Sequence, residues 1–583
     1  MKANVFSITL CFLLISAASF ALDKEKILRE RVYLQTDKQV YLAGELIWMK
    51  VLTTNQDGTP IDLSKVVYVE LLDESNPVLQ VKLEVANGIG SGWMMIPPTL
   101  ASGSYRMLAY TRYMKNEGEE VFFSRAIPIL NTFTDSSHNM EVVSKPDEPF
   151  TVAIAYTPNE RNAKASGNGE NEIIRSLQLT PDKAAYPVRT AGSISLENIP
   201  EDIYTLSLSI YKNDVSLSGS SFRLREWKNE LQPIENVQPF TSMYIPEYEG
   251  HILEGKMIDF QTGLQVKKDD VMPFLSFPGD KIRLFSGALG KNGNVVFNTK
   301  RISGVEEVAT AVVTFNDDRF RIDIESPFAL HTSKPLPVLT VNIVHKDKLR
   351  ERSIGLQALH MYMSDSISEY EYESALFQWS PSIEYLLDDY IRFPTMREVF
   401  AEFIPQARFR RINDRRYLNV FTGGIGGAFS NANSLVLLDG IPILDHENIY
   451  SYDPSLVERI GIYQNKYFFG GRLLFNGIVS FKTHNRDYHG LQVDEATQVF
   501  SYEGTQKKRC FYVPSYNTEA ERKSRIPDFR HTLLWNPEVY TDGKTSVAIP
   551  FTTSDLTGDF IVKVEGITND GRVVYAEAGL KVE

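Results

Sequence analysis

Five arginines, Arg408, Arg410, Arg411, Arg415 and Arg416, crowd into nine consecutive positions of a chain whose formal net charge is −13. A guanidinium presents paired N–H donors that match a carboxylate or a phosphate, so a row of them makes a candidate anionic contact. The groups such a row would meet are a lipid headgroup, a lipopolysaccharide phosphate or an acidic partner. The plainer reading is a solvated strand face.

Other kinds of chemistry find little support. The nine histidines are scattered, with neither HExxH nor another paired spacing. Asp445-His446-Glu447-Asn448 sets oxygen and nitrogen donors side by side, but consecutive residues of regular structure do not all face one ion, and the run reads as a polar loop. Gly423-Gly424-Ile425-Gly426-Gly427 lacks the Lys-Ser/Thr and the strand–helix setting of a phosphate loop. Lys507, Lys508 and Arg509 precede Cys510, and that positive charge is the only local reason to expect a reactive thiol. There is no GxSxG elbow and no Rossmann fingerprint. These residues predict no catalytic side chain, no cofactor and no metal, and so a protein that is not an enzyme.

The elements that carry these residues are set by an export signal and by β-patterning. Met1-Lys2 supplies a positive end, Val5 to Ile15 is apolar except for Ser7 and Thr9, and Ser19 and Ala21 are small residues at the −3 and −1 positions of a cut. Residues 1–21 therefore read as a secretory signal peptide. The apolar run is too short to cross a hydrocarbon core of about 30 Å. Cys11 follows bulky Leu10 rather than a small residue, which argues against a lipid anchor. No later stretch approaches the ~20 apolar residues of a spanning helix.

About 560 residues then remain, enough for four or five domains at roughly 100–150 residues each. Cys510 is the one cysteine left, so each domain must be held by its core rather than by an intramolecular disulfide. The acidic balance, with a pI near 5.4, repels phosphate backbones and argues against nucleic acid as a partner.

Short alternating strands separated by turn residues mark the whole chain as mainly β. Residues 22–140 predict a β-sandwich, with strands such as Arg31–Thr36, Leu46–Val51 and Gly103–Thr111. The register of "LQTDKQVYLAGELIWMKV" is echoed by "LQLTPDKAAYPVRTAGSISLENI" at 178–199, which predicts a second sandwich over 141–244 and a repeated module. The polar stretch 159–172 between them reads as a flexible excursion. Residues 245–345 predict a third sandwich, with an Asn292-Gly293 hairpin. Residues 346–405 predict a partly helical connector. In it Thr395 caps a helix with Met396, Val399, Phe400 and Phe403 on one face. Residues 491–583 predict a separate C-terminal sandwich with Asp542-Gly543 and Asp570-Gly571 turns.

Residues 406–490 hold the most specific pattern. "SLVLLDGIPI" (434–443) is a strand and a turn, and Asp453-Pro454 opens a short helix. Glu458–Tyr463 is a strand, Gly470-Gly471 and Asn476-Gly477 are turns, and Ile478–Thr483 is the last strand. This order resembles the plug domain of TonB-dependent outer-membrane receptors, and departs from it where bulky Tyr467-Phe468-Phe469 replaces small residues. The resemblance implies a compact α/β unit with Asp439, Gly440, Gly471 and Gly477 at its turns. In the receptors the plug fills a barrel of the same chain, and such a barrel needs more than about twenty strands of roughly ten residues, plus loops. Only 93 residues follow position 490, so the resemblance implies a free domain or one that meets another protein's barrel.

The first unit, through "LQTDKQVYLAGELIWMKV" and "LASGSYRMLAYT", resembles the second domain of the alpha-2-macroglobulin family, an immunoglobulin-like building block. The third unit, through "PEYEGHILEGKMIDFQTGLQV", resembles carboxypeptidase-regulatory-like sandwiches. Macroglobulins that trap proteases covalently carry a CGEQ thioester, whereas Cys510 is followed by Phe511-Tyr512. Together these readings predict tandem immunoglobulin-like or macroglobulin-like β-sandwiches plus one small α/β plug-like domain. The expected function is binding or scaffolding in the periplasm or at the outer membrane of a Gram-negative bacterium. The expected partner is an envelope protein, with an outer-membrane barrel as the form the resemblance suggests. The alternative is a thioester-less macroglobulin-like protein that binds proteases, with 159–172 as its exposed segment.

Overall fold

The computed structural model describes residues 28–144, 151–154, 177–213, 216–218, 224–231, 244–268, 271–279, 282–300, 302–314, 319–342, 344, 346–363, 380–412, 415–422, 428–429, 434–469 and 473–583. The expected signal peptide, the 159–172 stretch, the 423–427 glycine run and Gly471 lie outside them. The protein is mainly β, built from several sheets. Among the described residues no helix is long and apolar enough to cross a membrane.

The first sandwich runs from Glu30–Thr36 to Phe123–Leu130. Its strand path folds over at the hairpin Asn76–Ala86/Ile89–Met95, which joins the two faces. Val32, Leu34, Met49 and Val51 alternate into its core with Tyr68, Tyr105 and Ile127. The intervening polar residues are buried as well, because a second sandwich covers them. Lys50 Nζ donates to Thr205 Oγ1 at 2.6 Å, and Ser207 Oγ donates to Gln35 Oε1 at 2.6 Å.

The sequence echo corresponds to one repeated device. In the first sandwich Tyr41 donates its hydroxyl to Asp37 at 2.7 Å, and the Lys38 ammonium sits 4.9 Å from the Tyr41 ring. In the second, Tyr186 donates to Asp182 at 2.7 Å, and Lys183 sits 5.4 Å from the Tyr186 ring. Each aspartate also accepts from the next strand, from Trp48 N–H and Ser193 N–H respectively. The Asp-Lys-x-x-Tyr spacing thus ties a turn to the strand that follows it.

Beyond the first sandwich the structure differs from a string of separate modules. One sheet of the second sandwich joins Gln178–Pro181, Ala191–Glu197 and Ser546–Thr552. The other joins Thr532–Asn536, Ile203–Lys212, Gly558–Thr568 and Val573–Val582. The units expected at 141–244 and 491–583 are therefore two parts of a single sandwich. Each part brings half of the core: Ile194, Leu206 and Leu208 from one, Phe551, Val562 and Val564 from the other. Neither half could bury its apolar face alone.

The third sandwich is likewise completed from far along the chain. Its strands Ile252–Asp259, Met272–Phe277, Asn294–Asn298, Val305–Val313 and Phe320–Ile324 are joined by Gln498–Glu503, which pairs with Val305–Val313. Between these parts lies an α/β unit that begins at Ile383, not at 406. Its sheet orders Ile383–Leu386, Val457–Phe469, Leu473–Thr483, Leu435–Leu438 and Ile441–Pro442. The helix Met396–Glu402, capped by Thr395, packs into its core. The expected connector 346–405 is thus divided. Its first helix, Lys346–Met363, docks on the first sandwich through Leu356 and Arg352, and its remainder belongs to the α/β unit.

The chain is consequently nested: the α/β unit is inserted into the third sandwich, and the third sandwich into the second. A buried polar chain fastens the first to the third. His251 contacts Glu247 at 2.9 Å and Tyr502 at 2.5 Å, and Tyr68 donates to Glu247 at 3.0 Å.

Candidate functional site

Asp439 and Gly440 form a turn in which both residues have positive φ, 50° and 97°. The Asp439 side chain is fully buried. It accepts hydrogen bonds from the Thr483 amide at 2.8 Å, the Thr483 hydroxyl at 2.5 Å and the Tyr488 amide at 2.8 Å. Its carbonyl accepts from Gly279 N–H of the third sandwich at 2.9 Å. A methyl group added at Gly440 would lie 3.0 Å from the Pro278 Cα. Gly440 therefore answers both to a left-handed backbone and to the close approach of a neighbouring unit. Gly477, at φ 87°, lets strand Leu473–Thr483 approach Val420, whose Cβ would sit 2.5 Å from an added methyl.

The sheet of the α/β unit is covered on both faces. Leu435, Leu437 and Ile478 pack on Met272 and Phe274 of the third sandwich. Val436, Leu438 and Phe481 face the other way, toward the hairpin Ala407–Ile412/Arg415–Thr422. This hairpin carries all five arginines. Ala407, Phe409, Leu418 and Val420 point into the core, so by alternation Arg408, Arg410 and Arg415 share the opposite, outer face. Arg411 and Arg416 are cross-strand neighbours near the tip, where Arg411 is exposed and Arg416 half-buried. Arg416 pairs with Glu447 and lies 4.2 Å from the Tyr450 ring, which pins the hairpin to the short helix Glu447–Tyr450.

The Asp445–Asn448 run does not converge on a point. His446 is buried, and its Nδ1 accepts from Leu418 N–H at 2.9 Å, with burial pushing its pKa down to about 4. Asn448 turns instead to Asp494 at 2.9 Å. Among the described residues no cluster of His, Cys, Asp and Glu is placed to hold a metal ion. Cys510 is exposed.

A feature without a local sequence signal is a cleft of about 280 Å³. It opens where the first sandwich, the helix Lys346–Met363 and residues 509–532 converge. Trp48 and Phe511 meet edge to face at 5.5 Å along one wall. Leu356, Leu359 and Phe529 line the others, and Tyr512 and His360 border it at the surface. The floor holds Asp37, Glu45 and Arg530. Burial raises the Asp37 carboxyl above its usual range. Burial also pulls the Glu45 carboxyl upward, but the charges of Arg352 and Lys38 outweigh it and hold Glu45 down at about 2. These residues come from three distant stretches, so only the tertiary fold brings them together.

No known protein family and no curated protein matches the sequence. Solved structures similar to the chain include Escherichia coli alpha-2-macroglobulin activated by porcine elastase, at 8% identity over 95% of this chain and 44% of that one, with a TM-score of 0.24. The native conformation of the E. coli protein gives 9% identity, 96% and 40% coverage and a TM-score of 0.23. Salmonella alpha-2-macroglobulin reacted with methylamine gives 8%, 95%, 39% and 0.22. The chain spans less than half the length of these structures, and superpositions at this level carry no argument about activity or partners.

Proposed function

We propose that the chain is an exported, non-enzymatic scaffold of a bacterial cell envelope, whose interlocked sandwiches hold a plug-like α/β unit in place for a protein partner. The supporting observation is the double anchoring of that unit. Past its last strand the chain returns to the third sandwich through Gln498–Glu503, and one face of its sheet is occupied by Met272 and Phe274. The arginine hairpin covers the opposite face, and Arg408 and Arg415 are exposed on its far side, with Arg410 half-buried between them. A unit fixed in this way presents a constant surface, and its arginines suit an acidic region of an outer-membrane protein.

The test is affinity capture from solubilised envelope, with the wild-type chain and with the variant Arg408→Glu/Arg410→Glu/Arg415→Glu. The expected result is recovery of an outer-membrane barrel protein that the charge-reversed variant loses. Recovery of proteases instead would favour the thioester-less macroglobulin-like alternative. A barrel captured equally by both chains would remove the hairpin from the account.

A further inference from the structure

We infer that the cleft between the first sandwich, the helix Lys346–Met363 and residues 509–532 is a binding pocket for an uncharged aromatic ring. The inference does not depend on the arginine hairpin, and it assigns a second, chemically different contact to the molecule.

The walls favour a flat apolar occupant. Trp48, Phe511, Phe529 and Tyr512 offer ring faces and edges, and Leu356 and Leu359 close the side formed by the helix. Aromatic walls of this kind hold a ring in edge-to-face or offset geometry. At about 280 Å³ the cleft sits at the small end of ligand sites, which run from about 300 to 1,000 Å³. It therefore holds one ring system and not an extended lipid or sugar chain. Its position where three segments converge is also typical of such sites.

The floor decides the charge of the occupant. Asp37 already accepts from Tyr41 at 2.7 Å, from the Trp48 amide at 3.2 Å and from Thr532 at 2.8 Å. Glu45 receives two bonds from Arg352, both of 2.9 Å, and Lys38 lies 3.1 Å from it. Arg530 is held by Asp528 at 2.8 Å. Each floor charge is thus compensated within the protein. Arg509, on the wall, lies 4.3 Å from the Trp93 ring. A charged ligand would shed its water at that floor without gaining a matching partner there, whereas an uncharged ring has no charge to desolvate.

Two sources could supply the ring: a free small molecule, or a tryptophan or phenylalanine side chain on a polypeptide. The test is a titration of the full mature chain with indole, benzoate, benzylamine and the blocked pentapeptide acetyl-Gly-Gly-Trp-Gly-Gly-amide, read by NMR from the indole N–H of Trp48. Saturable shifts are expected with indole and with the pentapeptide, and none with benzoate or benzylamine at equal concentration. Tighter binding of the pentapeptide assigns the ring to a polypeptide partner, and tighter binding of indole assigns it to a free molecule. Leu359→Trp, which fills the cleft, should abolish binding. Tyr512→Ala, at an exposed position, should weaken it by roughly threefold to tenfold, the worth of one ring contact. Both variants should melt as the wild type does. The inference is overturned if neither neutral probe saturates, if the charged rings bind as well as indole, or if both folded variants bind as the wild type does.

Discussion

The Asp439 carboxylate is joined to Thr483 by two hydrogen bonds, one from the threonine amide at 2.8 Å and one from its hydroxyl at 2.5 Å. Forty-four positions separate the two residues, and the pair closes the turn after Leu435–Leu438 onto the end of the last strand of the α/β unit. Aspartate and threonine at these places are therefore structural. The carboxylate satisfies three donors, the amide and hydroxyl of Thr483 and the amide of Tyr488.

Removing this link should be costly. Asp439→Ala leaves the Thr483 amide and hydroxyl buried without this acceptor and removes that of the part-buried Tyr488 amide, and should destabilise the α/β unit by about 3 kcal/mol. A double-mutant cycle with Thr483→Ala should give a coupling of about 1–3 kcal/mol. Denaturant unfolding of the four chains measures both. A coupling near zero would mean that the pair does not hold the turn.

Gly440→Val should destabilise the protein by more than about 1 kcal/mol, because a β-branched residue strongly resists positive φ. The added group also meets Pro278 of the third sandwich. Calorimetry should accordingly show the α/β unit and the third sandwich shifting together. A shift confined to one transition would indicate that the two units unfold independently.

The repeated Asp-Lys-x-x-Tyr turns should respond to pH in opposite senses. Burial raises the folded pKa of Asp37, so the folded state holds that proton more tightly than the unfolded chain. Stability from this group falls as pH rises above the unfolded value near 3.8. Burial also acts upward on Asp182, but bonds from the Ser193 amide and Tyr186 outweigh it and lower the pKa. Its contribution is present above 3.8 and is lost as pH falls through the lower folded value. Stability–pH curves should therefore lose a decline above pH 3.8 in Asp37→Asn and a decline below pH 3.8 in Asp182→Asn. The same change in both variants would contradict the difference in burial.

Much of this was open to reading from sequence, and the rest fails for a definable reason. Alternation identifies which residues of a strand face a core, and so the strands of 30–130 and the strand–turn–strand order around Asp439 are visible in the chain. Alternation does not identify the partner strand. Ala191–Glu197 pairs with Gln178–Pro181 of its own segment on one side and with the distant Ser546–Thr552 on the other, and nothing in its pattern announces the second partner. The echo at Asp182 was legible because its spacing is local. The cleft was not, since Trp48, Leu359 and Phe529 carry no mark that they will meet.

Lys50 tests the seam between the first two sandwiches. Burial lowers its pKa from 10.5 to about 7, so the unfolded chain binds more protons between those values and stability rises with pH across that window. Lys50→Met should remove this slope and stabilise the protein by about 1–3 kcal/mol at pH 7, as expected when a buried charge gives way to an apolar side chain of similar length. An unchanged slope would place Lys50 in contact with water.

The central claim is that the anchored α/β unit meets a protein partner through the outer face of its arginine hairpin. A photo-reactive residue placed at the exposed Arg408 and irradiated in intact cells is the test. A single dominant adduct with an outer-membrane barrel protein is expected, and none from a probe placed at Tyr540, an exposed position of the second sandwich. Equal labelling from both positions, or adducts only with proteases, would contradict it.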